Sequence, residues 1–150
     1  MKYFFILLTV LFCGIGTKAQ TAEDSVKAVV NTLFTGMKNA DAALLKTCFA
    51  DSMVLQTIVR GKEGGIKVIN ENPAEFIDFV SKQKPGLADE RIRFETIKID
   101  GPLALVWTPY EFYYNGQFSH CGVNSFHLVR FGNGWKIQFL IDTRRKQGCQ

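Results

Sequence analysis

Apolar residues recur at helical spacing through Val26, Val29, Val30, Leu33, Phe34 and Met37, the stripe of an amphipathic helix. Thr21-Ala22-Glu23-Asp24 ahead of the stripe reads as a capping box, while Gly36 weakens the helix it sits in. Asp41 is placed to cap a second, short helix carrying Leu44, Leu45, Cys48 and Phe49. A strand over residues 52–59 and an irregular loop over 61–65 follow. Asn72-Pro73-Ala74-Glu75 then combines a cap, a proline at the first helical position and an acid at the third. It predicts a third helix with Phe76, Ile77 and Val80 on its apolar face.

From Glu90 onward the period changes to two. Residues 91–99 form the first strand of this half, with a change of parity at Glu95-Thr96 that predicts a bulge. Asp100-Gly101 turns the chain into a strand over 103–114, and Asn115-Gly116 is a strong hairpin signal. Strands over 117–131 and 135–143 follow, separated by Gly132-Asn133-Gly134. The sheet is expected to be one long antiparallel meander. Helices first and an antiparallel sheet behind them make an α+β domain. A sheet of this size closes around its helices and leaves a cone with one open end, the usual place for a small-molecule pocket.

The first residues have another meaning. Lys2 is followed by an apolar run from Tyr3 to Cys13, and Thr17-Lys18-Ala19 offers small residues around a cleavage point before Gln20. The run is shorter than the roughly 20 residues of a spanning helix. Residues 1–19 therefore read as a signal peptide and residues 20–150 as one domain, exported to the periplasm or beyond, with no membrane attachment after cleavage. Lys2 and Lys18 leave with the leader, so 16 basic residues face 14 acidic ones and the net charge falls from +4 to +2. That balance is too weak for a nucleic-acid footprint. The Arg144-Arg145-Lys146 cluster reads as a solvated tail. Cys48, Cys121 and Cys149 remain in the mature chain; Cys121–Cys149 is the favoured disulfide, with three thiols as the alternative.

Asp41-Ala42-Ala43-Leu44-Leu45 through Phe49-Ala50-Asp51, and the strand and turn from Phe126 to Trp135, resemble the nuclear transport factor 2-like superfamily. Trp107-Thr108-Pro109-Tyr110, Ser119-His120-Cys121-Gly122-Val123 and Gly134-Trp135-Lys136-Ile137 resemble its branch named "putative lumazine-binding". The resemblance implies a cystatin-like cone, with N-terminal helices packed in a curved antiparallel sheet, and frequent homodimers through the sheet. It fixes no activity, because that superfamily hosts isomerases, dehydratases, cyclases, transport factors and binders. Matched to the superfamily's steroid isomerase, the catalytic tyrosine, base and protonated acid fall on Leu33, Thr57 and Asn124. Leucine donates nothing and threonine is no base near neutral pH. Only Asn124 keeps a donor.

Local chemistry supplies other candidates. A two-residue turn at Asn115-Gly116 would set Glu111 opposite His120 and Trp107 opposite Asn124, and the next hairpin sets Asp142 opposite Asn124. One face could then carry Trp107, Glu111, His120, Asn124 and Asp142, with Lys136 and Gln138. Trp135, Ile137, Phe139 and Ile141 form the opposite, core-facing set, and a bulge at Pro109 would exchange the faces. His127 is read as structural or interfacial. No histidine and cysteine spacing suits a metal, and no cofactor is expected. The favoured reading is a non-catalytic receptor for a small, partly aromatic molecule, with ligand contacts from Trp107, Tyr110, Phe112, His120, Asn124, Phe126 and Thr57. The alternatives are a dehydratase, isomerase or cyclase using Glu111 and His120 as an acid–base pair, and a homodimeric interaction module.

Overall fold

A computed structural model describes residues 20–61 and 64–149 of the chain, so the leader expected at 1–19 lies outside the described residues. Helix α1 spans Ala22–Asn39. Thr21 accepts from the Asp24 amide while the Asp24 carboxylate accepts from Thr21, the capping box its sequence predicts. Val26, Val30 and Leu33 are fully buried along it. Asp41 caps α2, Ala42–Cys48, and Gly36 is where the two helices meet: a Cβ there would come within 3.0 Å of Leu45. The glycine that weakens α1 thus permits the close approach of α2. Helix α3, Pro73–Ser81, is capped by Asn72 and buries Ile77 and Val80.

Seven strands follow the order β2-β1-β7-β6-β5-β3, with β4 also pairing β5. They are β1 (Phe49–Arg60), β2 (Ile66–Glu71), β3 (Ala88–Ile92), β4 (Thr96–Asp100), β5 (Leu103–Tyr114), β6 (Gln117–Phe131) and β7 (Gly134–Arg145). The architecture is the expected α+β one, with β2 as a strand the sequence reading does not contain and two further differences. The strand expected over 91–99 is two strands, because Arg93 to Glu95 leave the ladder and bond only intermittently to Pro109 and Trp107 carbonyls. The sheet is also mixed rather than a pure antiparallel meander: β1 runs parallel to β7, returning the chain's end to the first strand. Its inner face meets the helices, where Phe34 of α1 sits edge-on to the buried Phe126 of β6 at 6.1 Å.

Two bulges decide which side chains face inward. Between β5 and β6, Phe112 faces His120 but Tyr113 faces Phe118, so Ser119 is the extra residue. Between β6 and β7, His127 faces Phe139 but Leu128 faces Ile137, so Gln138 is extra. A bulge shifts a strand's alternation by one, and every side chain beyond it changes face. In β7 this turns Trp135, Ile137, Leu140, Asp142 and Arg144 toward the helices and sends Phe139 and Ile141 outward. No bulge forms at Pro109, which pairs with Val123 in an unbroken register.

Candidate functional site

The inner faces of six strands bring polar groups together beyond the apolar core. Asp142 of β7 is buried and lies opposite Asn124 of β6, as the register predicts. Tyr110 of β5 reaches it across β6, its hydroxyl lying 3.1 Å from Asp142 Oδ2 and 2.9 Å from the Thr143 carbonyl, with one proton to give to either. Gly122 makes that crossing possible: a Cβ there would sit 2.7 Å from the tyrosine ring and 1.7 Å from the Thr143 oxygen. Burial, then the adjacent Asp142, holds the Tyr110 hydroxyl far above its usual range, so it keeps its proton. Thr57 of β1, also buried, lies 2.5 Å from Asp142 Oδ1 and 3.0 Å from Glu71 Oε1 of β2; its one proton can serve one carboxylate at a time. Arg144 donates to Asp142 through Nε at 3.0 Å and to Thr57 through Nη2 at 2.9 Å.

Glu90 of β3 completes the group. Asn124 Nδ2 donates to Glu90 Oε1 at 2.8 Å. Burial raises the Glu90 carboxyl to about 7, with Asp142 adding to the rise, while the Asn124 bond and Arg144 oppose it. Near neutral pH this group therefore exists as carboxylic acid and carboxylate in comparable amounts. Thr57, Glu71, Glu90, Asn124, Asp142 and Arg144 line a hollow of about 70 Å³ whose other wall is apolar: Leu33, Phe34 and Met37 from α1, Phe76 from α3, Leu55 and Leu140 from the sheet. Few atoms fit it, against roughly 300–1,000 Å³ for sites that take drug-sized ligands. A wider cleft of about 570 Å³ lies outside, between α2, the start of β1 and α3. It is open to solvent, and its charged residues Lys46, Asp51 and Asp78 do not form a bonded cluster like the one inside. The inner hollow is the better candidate, because there polar groups of fixed geometry face an apolar wall.

Of the residues expected at the site, Trp107, Glu111, Phe112, His120 and Phe126 are placed outside the hollow, and Tyr110 joins the cluster through Asp142 without lining it. Trp107 lies on the outer face opposite Ser125, 40% exposed. Glu111 also points outward, opposite Cys121, and accepts from Tyr113; it cannot pair with His120, whose partner across the strands is Phe112. The extra residue at Ser119 is the cause. His120 faces inward beside Tyr110 and Phe112, with ring centroids 5.8 and 5.0 Å away, but does not line the hollow. Burial, reinforced by Arg144, lowers its pKa. Phe126 is completely buried beneath α1, in the core rather than on the cavity wall. Thr57, Tyr110 and Asn124 do converge. Glu71, Glu90 and Arg144 are the residues that sequence reasoning missed, and Arg144 is no tail residue. The visible signal was a charged side chain in step with an apolar stripe: Glu90 alternates with Ala88 and Ile92, and Arg144 with Leu140 and Asp142. His127 meets Phe139 edge-on at the outer face. Cys121 and Cys149 form the favoured disulfide and Cys48 is a buried thiol.

Among solved structures, the chain is similar to a nuclear transport factor 2-like protein of unknown function from Shewanella baltica. The TM-score is 0.65 at 13% identity, covering 88% of this chain and 100% of that one. A domain of unknown function with a cystatin-like fold from Nostoc punctiforme gives 0.65 at 15% identity, covering 87% and 82%. A protein described as a "putative dehydratase" of the same fold family from Streptomyces avermitilis gives 0.59 at 15%, covering 81% and 94%. Likeness at these identities establishes the fold. No curated protein matches the chain. The family model described as "Putative lumazine-binding" matches residues 21–138. With its helices packed on one face of a seven-stranded sheet, the chain belongs to the "putative lumazine-binding" family of the nuclear transport factor 2-like superfamily.

Proposed function

We propose that this chain is an exported receptor for a small molecule that enters the hollow between α1, α3 and the sheet. The observation that carries the reading is the Asn124–Glu90 and Asp142–Thr57 cluster facing an apolar wall, with Asp142 held in turn by Tyr110. Three carboxyl groups, from Glu71, Glu90 and Asp142, meet one guanidinium there, so the polar end is rich in acceptors. A ligand with an apolar body and a hydrogen-bond-donating or cationic nitrogen head complements it. Aromatic contact comes from Phe34 and Phe76, since Trp107 is outside and the Tyr110 ring is committed to its crossing over Gly122. Arg144 bridges β7 to Thr57 and Glu71 at the rim, and a ligand larger than a few heavy atoms must displace it. The Cys121–Cys149 disulfide and the apolar leader pattern support export. Self-association as a homodimer belongs to the same reading.

Butylammonium, butanol and butyrate share one apolar tail and differ in head charge, so protein-observed NMR with this series tests the proposal. Saturable shifts at the Asn124 side-chain amide and the Leu33, Leu55 and Leu140 methyls, strongest for the ammonium, are expected. No saturable shift from any of the three would overturn it. A second reading rests on Glu90: a carboxyl near 7 in the inner hollow can take and return a proton, as a dehydratase or isomerase requires. In that case Glu90→Gln would keep ligand binding and lose turnover. The receptor reading expects no turnover in either protein.

A further inference from the structure

Among the described residues, the edge strand β2 has no neighbour on its outer side. All its residues from Ile66 to Asn70 are exposed, Ile66 at 61%, Val68 at 52% and Ile69 at 45%. Edge strands in soluble proteins are normally protected by proline, a bulge, a cover or charge. The described strand has no proline and no bulge, and pairs in one unbroken register with β1 from Leu55–Glu71 to Arg60–Ile66. Its sequence, Ile-Lys-Val-Ile-Asn-Glu, is self-complementary about Ile69. In an antiparallel pair, residues that face each other must lie on the same side of the sheet, so only every second register is available. Placing Ile69 against its own copy sets Lys67 opposite Glu71 twice, and Val68 opposite Asn70 twice. The register centred on Val68 sets Lys67 against Ile69 and leaves Glu71 beyond the strand; that centred on Asn70 sets Glu71 against Ile69. Only the first pairs both charges.

We propose that β2 is a self-recognition edge, where two copies of this chain pair antiparallel about a two-fold axis at Ile69 and join their sheets. Lys67, Ile69 and Glu71 lie on the helix side of β2, because their β1 partners Val59, Thr57 and Leu55 do. The two hollows therefore open toward the same side of the joined sheet, and Glu71, which lines each hollow, also touches the partner's Lys67. This rests on the homodimer reading above and goes beyond it by naming the surface: the superfamily resemblance implies packing through the sheet face instead. A six-residue edge is a small interface, so association is weak and is read across a dilution series.

Sedimentation velocity of the mature protein is expected to show a reversible dimer that Ile69→Lys and Lys67→Glu each abolish, with circular dichroism unchanged. Trp107→Glu, on the outer face, is expected to leave it intact. Ile69→Cys should cross-link to itself under mild oxidation several times faster than Val68→Cys, because only position 69 meets its own copy. A monomer at every concentration would overturn both the homodimer reading and this one. A dimer that survives Ile69→Lys and dissociates with Trp107→Glu would overturn the edge alone, as would faster cross-linking at position 68.

Discussion

Replacing Glu90 with glutamine removes a charge and keeps the shape, and the consequence depends on pH in a calculable way. In the unfolded chain a glutamate titrates near 4.5; in the fold, burial raises Glu90 to about 7. A carboxyl with a raised folded value binds its proton more tightly in the native state. Its contribution is therefore most favourable below about 4.5 and is lost as pH rises toward 7. The gap of about 2.5 pH units, at about 1.36 kcal/mol each, gives a cost of about 3 kcal/mol at pH 8. Asn124 and Arg144 already temper it from one side, while Asp142 deepens it. Glutamine carries no such cost and can still accept from Asn124. Urea unfolding of both proteins between pH 5 and 8 should show Glu90→Gln gaining about 2–3 kcal/mol across that interval relative to wild type. A stability difference that is flat with pH would refute the assignment of Glu90 as a buried acid.

Other consequences follow from single contacts. Thr108 Oγ1 is the one buried side-chain oxygen without a hydrogen-bond partner among the described residues, so Thr108→Val should leave thermal stability unchanged or raise it by about 1 kcal/mol. A lowered melting temperature would show a hidden partner. Gly122→Ala drives a Cβ into the Thr143 carbonyl and the Tyr110 ring, and should cost about 3 kcal/mol or more with loss of near-ultraviolet signal from the tyrosine. Native-like stability in that variant would mean the crossing is not fixed. Reducing Cys121–Cys149, which spans 28 residues, should cost about 3–4 kcal/mol in denaturant unfolding; no change would mean the unfolded chain gains nothing from release.

The helices were legible because their ends carry chemistry: the Thr21–Asp24 box, Asp41, and Asn72-Pro73 each specify a boundary by hydrogen bonding. The hairpins were legible because Asn115 and Gly116 adopt positive φ, which few residues tolerate. The bulges at Ser119 and Gln138 were not, since neither residue type is demanded by the geometry. Gln138 is held by long-range bonds to Ser52 that no local pattern contains. Those two insertions put Trp107 and Glu111 on the wrong face in a straight register and hid Arg144. Strand β2 escaped because it is exposed on both sides and shows no alternation, although its β-branched residues were a usable signal. Thr57 and Asn124 were found through the superfamily pattern, and Asp142 through its register opposite Asn124.

The receptor reading depends on the hollow being accessible and occupied by choice. Leu140→Phe places extra atoms in its wall without touching the polar cluster. Affinity for butylammonium, measured by NMR titration of wild type, Leu140→Phe and the outer-face control Trp107→Ala, tests that directly. The account predicts that Leu140→Phe, confirmed as folded by its amide spectrum, weakens binding about tenfold or more while Trp107→Ala leaves it unchanged. Equal affinity in wild type and Leu140→Phe, or loss confined to Trp107→Ala, would contradict it.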